Sequence, residues 1–336
     1  MIYAPVIIPT LNRFSHFQKC LESLENCTGA DKTDVYIGLD FPPTEKYRKG
    51  WEDIDAYLRQ KETNNGFQSL TVIRRTENCG VGNPNCNSAL LRKFIETKSD
   101  RYIFSEDDNV FSPNFLEFIN KGLEKFKNDP SVFAINGYCH YPIYDFKFKE
   151  NNYFFHNTDY SAWGFGTWID KRQKLLEEIR TNHFFEKNFH WRTAYDIYKK
   201  HGSYRCAQYF AAAFNYGWMR MHDGNISIYM QAKNMNVVVP TISKVRNMGW
   251  TKQGQSFKNG ISSKYQKQGN KHAEQPIDTE KTFDYTGDPF TFYDYNNAIA
   301  AQNNVNNKPT WRLLIEIVSI IIKYYIKKVI RYKKVV

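Results

Sequence analysis

Glu106, Asp107 and Asp108 stand together directly after the apolar run Tyr102-Ile103-Phe104-Ser105. Carboxylates separated by one residue at a strand end aim their oxygens into one small volume, and Glu106 and Asp108 have that spacing. Such hard oxygen ligands suit magnesium or manganese better than zinc. A divalent cation held there would neutralise the negative charge that develops on a departing diphosphate. Acidic triplets also occur on solvated turns, so context has to favour a site. Here the context is an apolar strand before the triplet and, after it, Phe115, Phe118, Ile119, Leu123 and Phe126 at helical spacing.

The elements that must position these acids follow an alternating order. Val6-Ile7-Ile8 ending in Pro9-Thr10 reads as a buried strand, and Phe17, Cys20, Leu21 and Leu24 form one face of a helix over 15–24, with Ser15 as its cap. Val35-Tyr36-Ile37-Gly38-Leu39 supplies a second strand ending at Asp40, Leu70–Arg74 a third and Arg101–Ser105 a fourth, with helices over 51–58 and 87–97 between them. Strand, helix and strand in alternation predict an α/β domain. In open sheets of this kind ligands bind beyond the carboxyl ends of the strands. A helix over 112–127, a strand over 131–136 and a helix over 171–180 continue the chain, whereas the polar stretch 249–307 reads as extended or mobile, with room for an active-site loop.

These residues carry a resemblance. Ile7-Ile8-Pro9-Thr10-Leu11-Asn12-Arg13, Asp40, Arg75-Thr76-Glu77-Asn78-Cys79-Gly80 and Ser105-Glu106-Asp107-Asp108-Asn109 before Pro113-Asn114-Phe115 are similar to the strand ends of GT-A fold glycosyltransferases. The nearest group is the family-2-like enzymes of bacterial surface polysaccharides, and the likeness covers roughly the first 120 residues. It implies a GT-A-like nucleotide-binding sheet flanked by helices. By resemblance Pro9, Thr10, Arg13 and Asn78 border the nucleotide, Asp40 bonds the base or ribose, Asp107 approaches the ribose or donor sugar, and Asp108, with Glu106, holds Mn2+ or Mg2+. Simpler roles exist beside these: Pro9 ends a strand, and Asp40 caps the turn after it.

Two later segments extend the resemblance. Tyr160-Ser161-Ala162-Trp163-Gly164-Phe165-Gly166-Thr167-Trp168 offers glycines for close backbone approach and two tryptophans suited either to a sugar's C–H face or to the core. Asp223-Gly224-Asn225, then Val237–Pro240 and Ser243–Trp250, is similar to an acceptor-side acid followed by a strand and an Arg-Asn-aliphatic-Gly turn. Asp223 is thereby the leading general base, with Asp159 in reserve, and Arg246 clamps the diphosphate, Lys244 less directionally. A metal-ligating histidine at the end of the later loop is missing, because Phe257 stands there. The expected organisation is a nucleotide-sugar-binding half (1–140), an acceptor-binding half (141–260), a polar loop or extension (261–307) and a basic amphipathic tail (308–336). The implied reaction moves a sugar from a nucleoside diphosphate sugar, a UDP-sugar being favoured, to a hydroxyl of a saccharide or lipid-linked saccharide, with inversion. The rival reading is a noncatalytic carbohydrate-binding or polysaccharide-assembly protein with the same fold.

Charge locates a second partner. The net charge is +11, but residues 308–336 hold eight Lys or Arg against one Glu, so the excess is mostly a property of the tail. No finger spacing or RNA-binding aromatic motif accompanies the basic residues, and nucleic acid is not an expected partner. Leu313-Leu314-Ile315 and Ile317–Ile322, interrupted by Glu316 and followed by Lys323, Lys327, Lys328 and Arg331, make an apolar run too short to span a bilayer. An interfacial helix on anionic lipid fits it, with packing against the body or a partner as the rival reading. Cys20, Cys27, Cys79, Cys86, Cys139 and Cys206 have no paired metal spacing, and the start of the chain has no signal-like stretch, so a reducing, cytoplasmic-face location is expected. Oligomeric state is not legible at this level.

Overall fold

The computed structural model describes residues 2–80, 83, 85–140, 150–157, 160–213, 223–250 and 263–289, with 311, 312, 314, 315, 317–319, 322, 323, 325 and 326 of the tail. The chain divides into two compact units. The first comprises Met1–His156, Ser161–Lys171 and Asn236–Phe290, and the second Asn157–Tyr160, Arg172–Met235 and Thr291–Val336.

The first unit begins β1 (Val6–Thr10), α1 (Phe14–Glu25), β2 (Asp34–Leu39), α2 (Arg48–Thr63), β3 (Ser69–Arg74), α3 (Asn87–Glu96) and β4 (Arg101–Phe104). Val6, Ile7, Ile8, Val35, Ile37 and Ile103 are wholly buried. Strands so apolar need cover on both faces, which parallel sheets with helical crossovers provide. α1 supplies part of that cover, burying Phe17, Cys20, Leu21 and Leu24 as their spacing predicts. The helix starts at Phe14 with no side-chain cap, so Ser15 lies inside its first turn and is not the cap expected from sequence.

β5 (Asn109–Phe111), α4 (Phe115–Lys125), β6 (Val132–Asn136), β7 (Tyr153–His156) and β8 (Phe165–Trp168) follow, and after the second unit come β9 (Asn236–Pro240), β10 (Val245–Asn247) and α9 (Ser263–Glu274). The main sheet has the order β3-β2-β1-β4-β8-β6-β9-β7. β8 runs antiparallel to both β4 and β6, and β7 antiparallel to β9, while the β3-β2-β1-β4 half is parallel. This mixed, helix-flanked sheet is the GT-A-like, Rossmann-type architecture implied by the resemblance. A separate ribbon pairs β5 with β10.

Where the chain leaves for the second unit, Lys171 Nζ donates to the carbonyls of Asp129 (2.7 Å) and Val132 (2.6 Å). Where it returns, Asn236 N donates to Ser131 O (2.6 Å). The polar stretch read as extended contains α9, and 275–288 straps onto α4. Lys121 Nζ reaches Phe283 O (2.8 Å), Tyr285 OH donates to Phe118 O (2.9 Å), and Asn114 donates to Asp278 (2.6 Å). These bonds give a segment with few aliphatic residues its fixed course.

The second unit contains α5 beyond Lys171 (the helix spans Ile169–Arg180), α6 (Phe184–Lys187), α7 (Trp191–Ala213) and α8 (Asp223–Ala232). Phe184 packs on Tyr229 and Phe189 stacks on Tyr209, at 5.1 and 5.3 Å between ring centroids. The described residues of 311–326 are helical. Trp311, Leu314, Ile315, Val318, Ile322, Tyr325 and Ile326 recur at three- and four-residue steps and are each more than half exposed, at 51% or above. No helix among the described residues is long and apolar enough to cross a membrane.

Candidate active site

The parallel half of the sheet brings its polar residues to one edge. β1 ends at Thr10, β2 leads into Asp40, and β4 leads into Glu106–Asp108. Asp40 N donates to Thr10 O (2.9 Å) and Ser105 N to Ile7 O (3.1 Å), so the three chains leave the sheet side by side. Thr10 Oγ1 then donates to Asp107 Oδ2 (2.9 Å). Arg13, at the entry to α1, forms a charged bridge: one Nη bonds Asp107 and the other lies 2.7 Å from Asp108 Oδ2.

Asp107 and Asp108 are 7% and 5% exposed, so their charges are largely removed from water. Burial raises the Asp107 pKa; the Arg13 charge opposes that rise and Asp108 adds to it. For Arg13, burial works against the charge, but Asp107 and then Asp108 more than offset it, and its pKa rises. The carboxylates that Arg13 joins are the adjacent Asp107 and Asp108, whereas spacing singled out Glu106 and Asp108. Glu106 sits half-buried, its carbonyl accepting from Ser105 Oγ (2.8 Å).

β10 completes the surroundings of Asp108. Pairing places Asn247 opposite Asn109, and Asn247 Nδ2 donates to Asp108 Oδ1 (2.8 Å) while Met248 N donates to Asp108 O (2.8 Å). Gly249 follows, and a Cβ there would fall 2.0 Å from Asp108 Oδ2. The residue must therefore lack a side chain for Asp108 to keep its position. Neither Asn247 nor Gly249 was assigned a role from sequence; the Arg-Asn-Met-Gly pattern was the available signal.

Beside β2, Asp40 accepts from Asn78 Nδ2 (3.0 Å) and its own Phe41 N (3.0 Å), with Arg75 Nη1 at 3.4 Å. Burial raises its pKa, against the lowering effect of Arg75. Asp40 and Asn78 are thus brought together, and Arg75 joins them without having been singled out. Pro9 lies in β1 opposite Gly38. Arg246 is half-buried in β10 and donates from Nε to Gln275 O (2.9 Å).

Lys244 corrects the sequence reading. It is fully buried, its Nζ pairs with Asp278 and donates to Asn151 Oδ1 (2.9 Å), and it therefore cannot clamp a phosphate. Asp223 opens α8 in the second unit. Asp159, Phe257 and His222 lie outside the described residues, as do Lys308 and residues 327–336 of the tail. All six cysteines are free.

Among the described residues no group of three His, Cys, Asp or Glu side chains could hold a metal ion. The two buried carboxylates suit a magnesium- or manganese-like ion of another kind, one that takes the rest of its shell from phosphate oxygens and water. Arg13 already supplies positive charge between them.

No protein-family model and no curated sequence matches the chain. Solved structures do. A mannosyltransferase from Pyrobaculum calidifontis, in complex with GDP-Man and Mn2+, is 13% identical over 69% of this chain and 69% of its own, with a TM-score of 0.37. S. aureus TarS is 14% identical over 53% of this chain at a TM-score of 0.31, and this chain spans 30% of its length. TarS residues 1–349 give 13% identity over 70% of this chain and 57% of theirs, at 0.37. None of these likenesses bears on donor, acceptor or residue roles.

Proposed function

We propose that this chain is a nucleotide-sugar-dependent glycosyltransferase that moves a sugar from a nucleoside diphosphate donor, a UDP-sugar being favoured, to a saccharide or lipid-linked saccharide hydroxyl. The observation that carries the reading is the Asp107–Arg13–Asp108 bridge at the carboxyl end of β4, beside Thr10 and the Asp40–Asn78 pair. Polar groups at three adjacent parallel strand ends form a crevice of the kind nucleotides occupy.

Asp40 and Asn78 bind the base or ribose, Pro9 and Thr10 line its path, and Asp107 orients the ribose or donor sugar. Arg13 is already aimed at the crevice and neutralises phosphate charge; Arg246 adds its guanidinium from β10. Preorganised positive charge of this sort stabilises a departing diphosphate. A Mn2+ or Mg2+ ion held by Asp108, with Glu106, would add Lewis-acid stabilisation of that same charge. Asp223, with Asp159 in reserve, removes the acceptor proton as the hydroxyl attacks, and direct displacement inverts the anomeric centre. The tail places the enzyme on an anionic membrane surface at the cytoplasmic face, near a lipid-linked acceptor, with no nucleic-acid partner.

The test is a panel of UDP- and GDP-hexoses scored for thermal stabilisation and for release of the nucleoside diphosphate, with manganese and magnesium compared. Release by the wild type should fall at least 100-fold in Asp108→Ala with the fold retained. Asp223→Asn should keep donor binding and lose transfer. Donor binding without release under any condition would favour a carbohydrate-binding protein instead.

A further inference from the structure

Five ring side chains of the first unit converge one residue away from the Asp108 turn. Trp250 follows Gly249, so its Cα lies about 3.8 Å along the chain from the glycine that touches the Asp108 carboxylate. Trp250 stacks on His272, with centroids 4.8 Å apart and planes at 23°. Trp163 meets His272 edge to face at 5.0 Å and Tyr138 at 4.7 Å. His140 adds a fifth ring, 4.6 Å from Tyr138 and 6.0 Å from Trp163. The two indoles stand nearly perpendicular, 6.4 Å apart at 81°, and form a corner. Tyr138 and His272 are buried behind it, while Trp163, Trp250 and His140 remain half-exposed.

The corner is built, not incidental. Gln275 Nε2 donates to Cys139 O (2.9 Å), which turns its Oε1 toward Tyr138 to accept the phenol proton (3.0 Å). That proton is then spent, so the close contact between Tyr138 and His272 Nδ1 is an imidazole N–H donating to the phenol oxygen. Burial, with His140 nearby, pushes His272 down to about 3 and keeps it neutral. The second tryptophan of the same sequence segment is used differently: Trp168 is 4% exposed and lies under Lys171 Nζ at 3.8 Å, a core anchor.

Half-exposed aromatic faces with polar N–H edges, at a corner whose five rings bring no lysine or arginine with them, suit a neutral, hydroxyl-rich ring better than an anion or an acyl chain. One face of a pyranose presents C–H groups, and its rim presents hydroxyls. We propose that the Trp163–Trp250 corner, with His140, seats a pyranose ring of the acceptor, packing its C–H face on an indole and its hydroxyls on the ring nitrogens. The source of that ring rests on the glycosyltransferase reading; the sugar-binding chemistry of the corner does not.

The test separates the two. Calorimetric titration of the full chain with methyl glycosides of glucose, galactose, mannose and N-acetylglucosamine should give saturable binding with at least one. Affinity should fall at least tenfold in Trp163→Ala and in Trp250→Ala, and recover in Trp163→Phe, which keeps a ring and guards against misfolding. No saturable binding, or binding unchanged in both alanine variants, overturns the corner. Donor hydrolysis without acceptor should stay within twofold in Trp250→Ala while the glycoside KM rises tenfold; hydrolysis falling in step would overturn the acceptor assignment. Glycoside binding that persists in Asp108→Ala, with no turnover on any donor by the wild type, would sink the transferase reading and leave the corner standing.

Discussion

Arg13 decides the chemistry of the crevice because it holds two neighbouring carboxylates that would otherwise repel each other out of water. Removing it as Arg13→Met leaves Asp107 and Asp108 buried without their counter-ion. Breaking such a bridge costs about 3–5 kcal/mol, so the urea midpoint should fall sharply and nucleotide-sugar turnover with it. Gly249→Ala is the subtler variant. Its methyl group would press on Asp108 Oδ2, which Arg13 holds on one side while Asn247 holds Oδ1 on the other. Turnover should drop about 10–100-fold, the range expected when a reacting group is displaced by about an ångström, with far-UV circular dichroism unchanged. Asp107 and Asp108 were legible in sequence because acids after an apolar strand have few structural uses. Asn247, Gly249, Arg75 and His272 were not, because only strand pairing and burial bring them to the site.

Lys244 and Asp278 give the elements their lock. The pair lies beneath α4, with Asn114 and Asn151 also bonded to Asp278 and the Phe283 ring 4.7 Å from Nζ. Burial pushes Lys244 down to about 8, against the pull of Asp278. Its ordinary value near 10.5 applies in the unfolded chain, which therefore binds more protons than the native state between pH 8 and 10.5. The contribution of Lys244 to stability thus rises with pH across that window, by at most about 1.4 kcal/mol per unit. Urea unfolding of wild type and Lys244→Met at pH 8 and 10 should differ in slope accordingly, the variant lacking the rise. Asp278 is lowered by this lysine despite its burial, so its share of stability is present above its ordinary value and lost as pH falls below it. The parallel strands were readable because their cores are unbroken apolar runs. The strap and α9 were not, because they are held by side-chain amides and ion pairs whose partners lie more than a hundred residues away, as with Asn114 and Asp278.

Across the whole molecule, charge and apolar surface coincide in the tail, where exposed Trp311, Ile315, Val318, Ile322 and Tyr325 precede a cluster of lysines. An apolar stripe and basic residues together bind anionic interfaces in a salt-sensitive way. Deleting residues 309–336 should abolish co-sedimentation with phosphatidylserine vesicles at low salt and leave transfer to a soluble acceptor within a few-fold; unchanged co-sedimentation would place the tail elsewhere.

The chain departs from the sheet at Lys171 and rejoins it at Asn236, and both residues are tied to the same short turn, Asp129–Val132. Residues 172–235 are in that sense a cassette plugged into one socket. Its helices can be lengthened, shortened or exchanged between relatives without re-registering a single strand. Diversification of this lineage should therefore accumulate there, while the crevice at the strand ends is inherited intact.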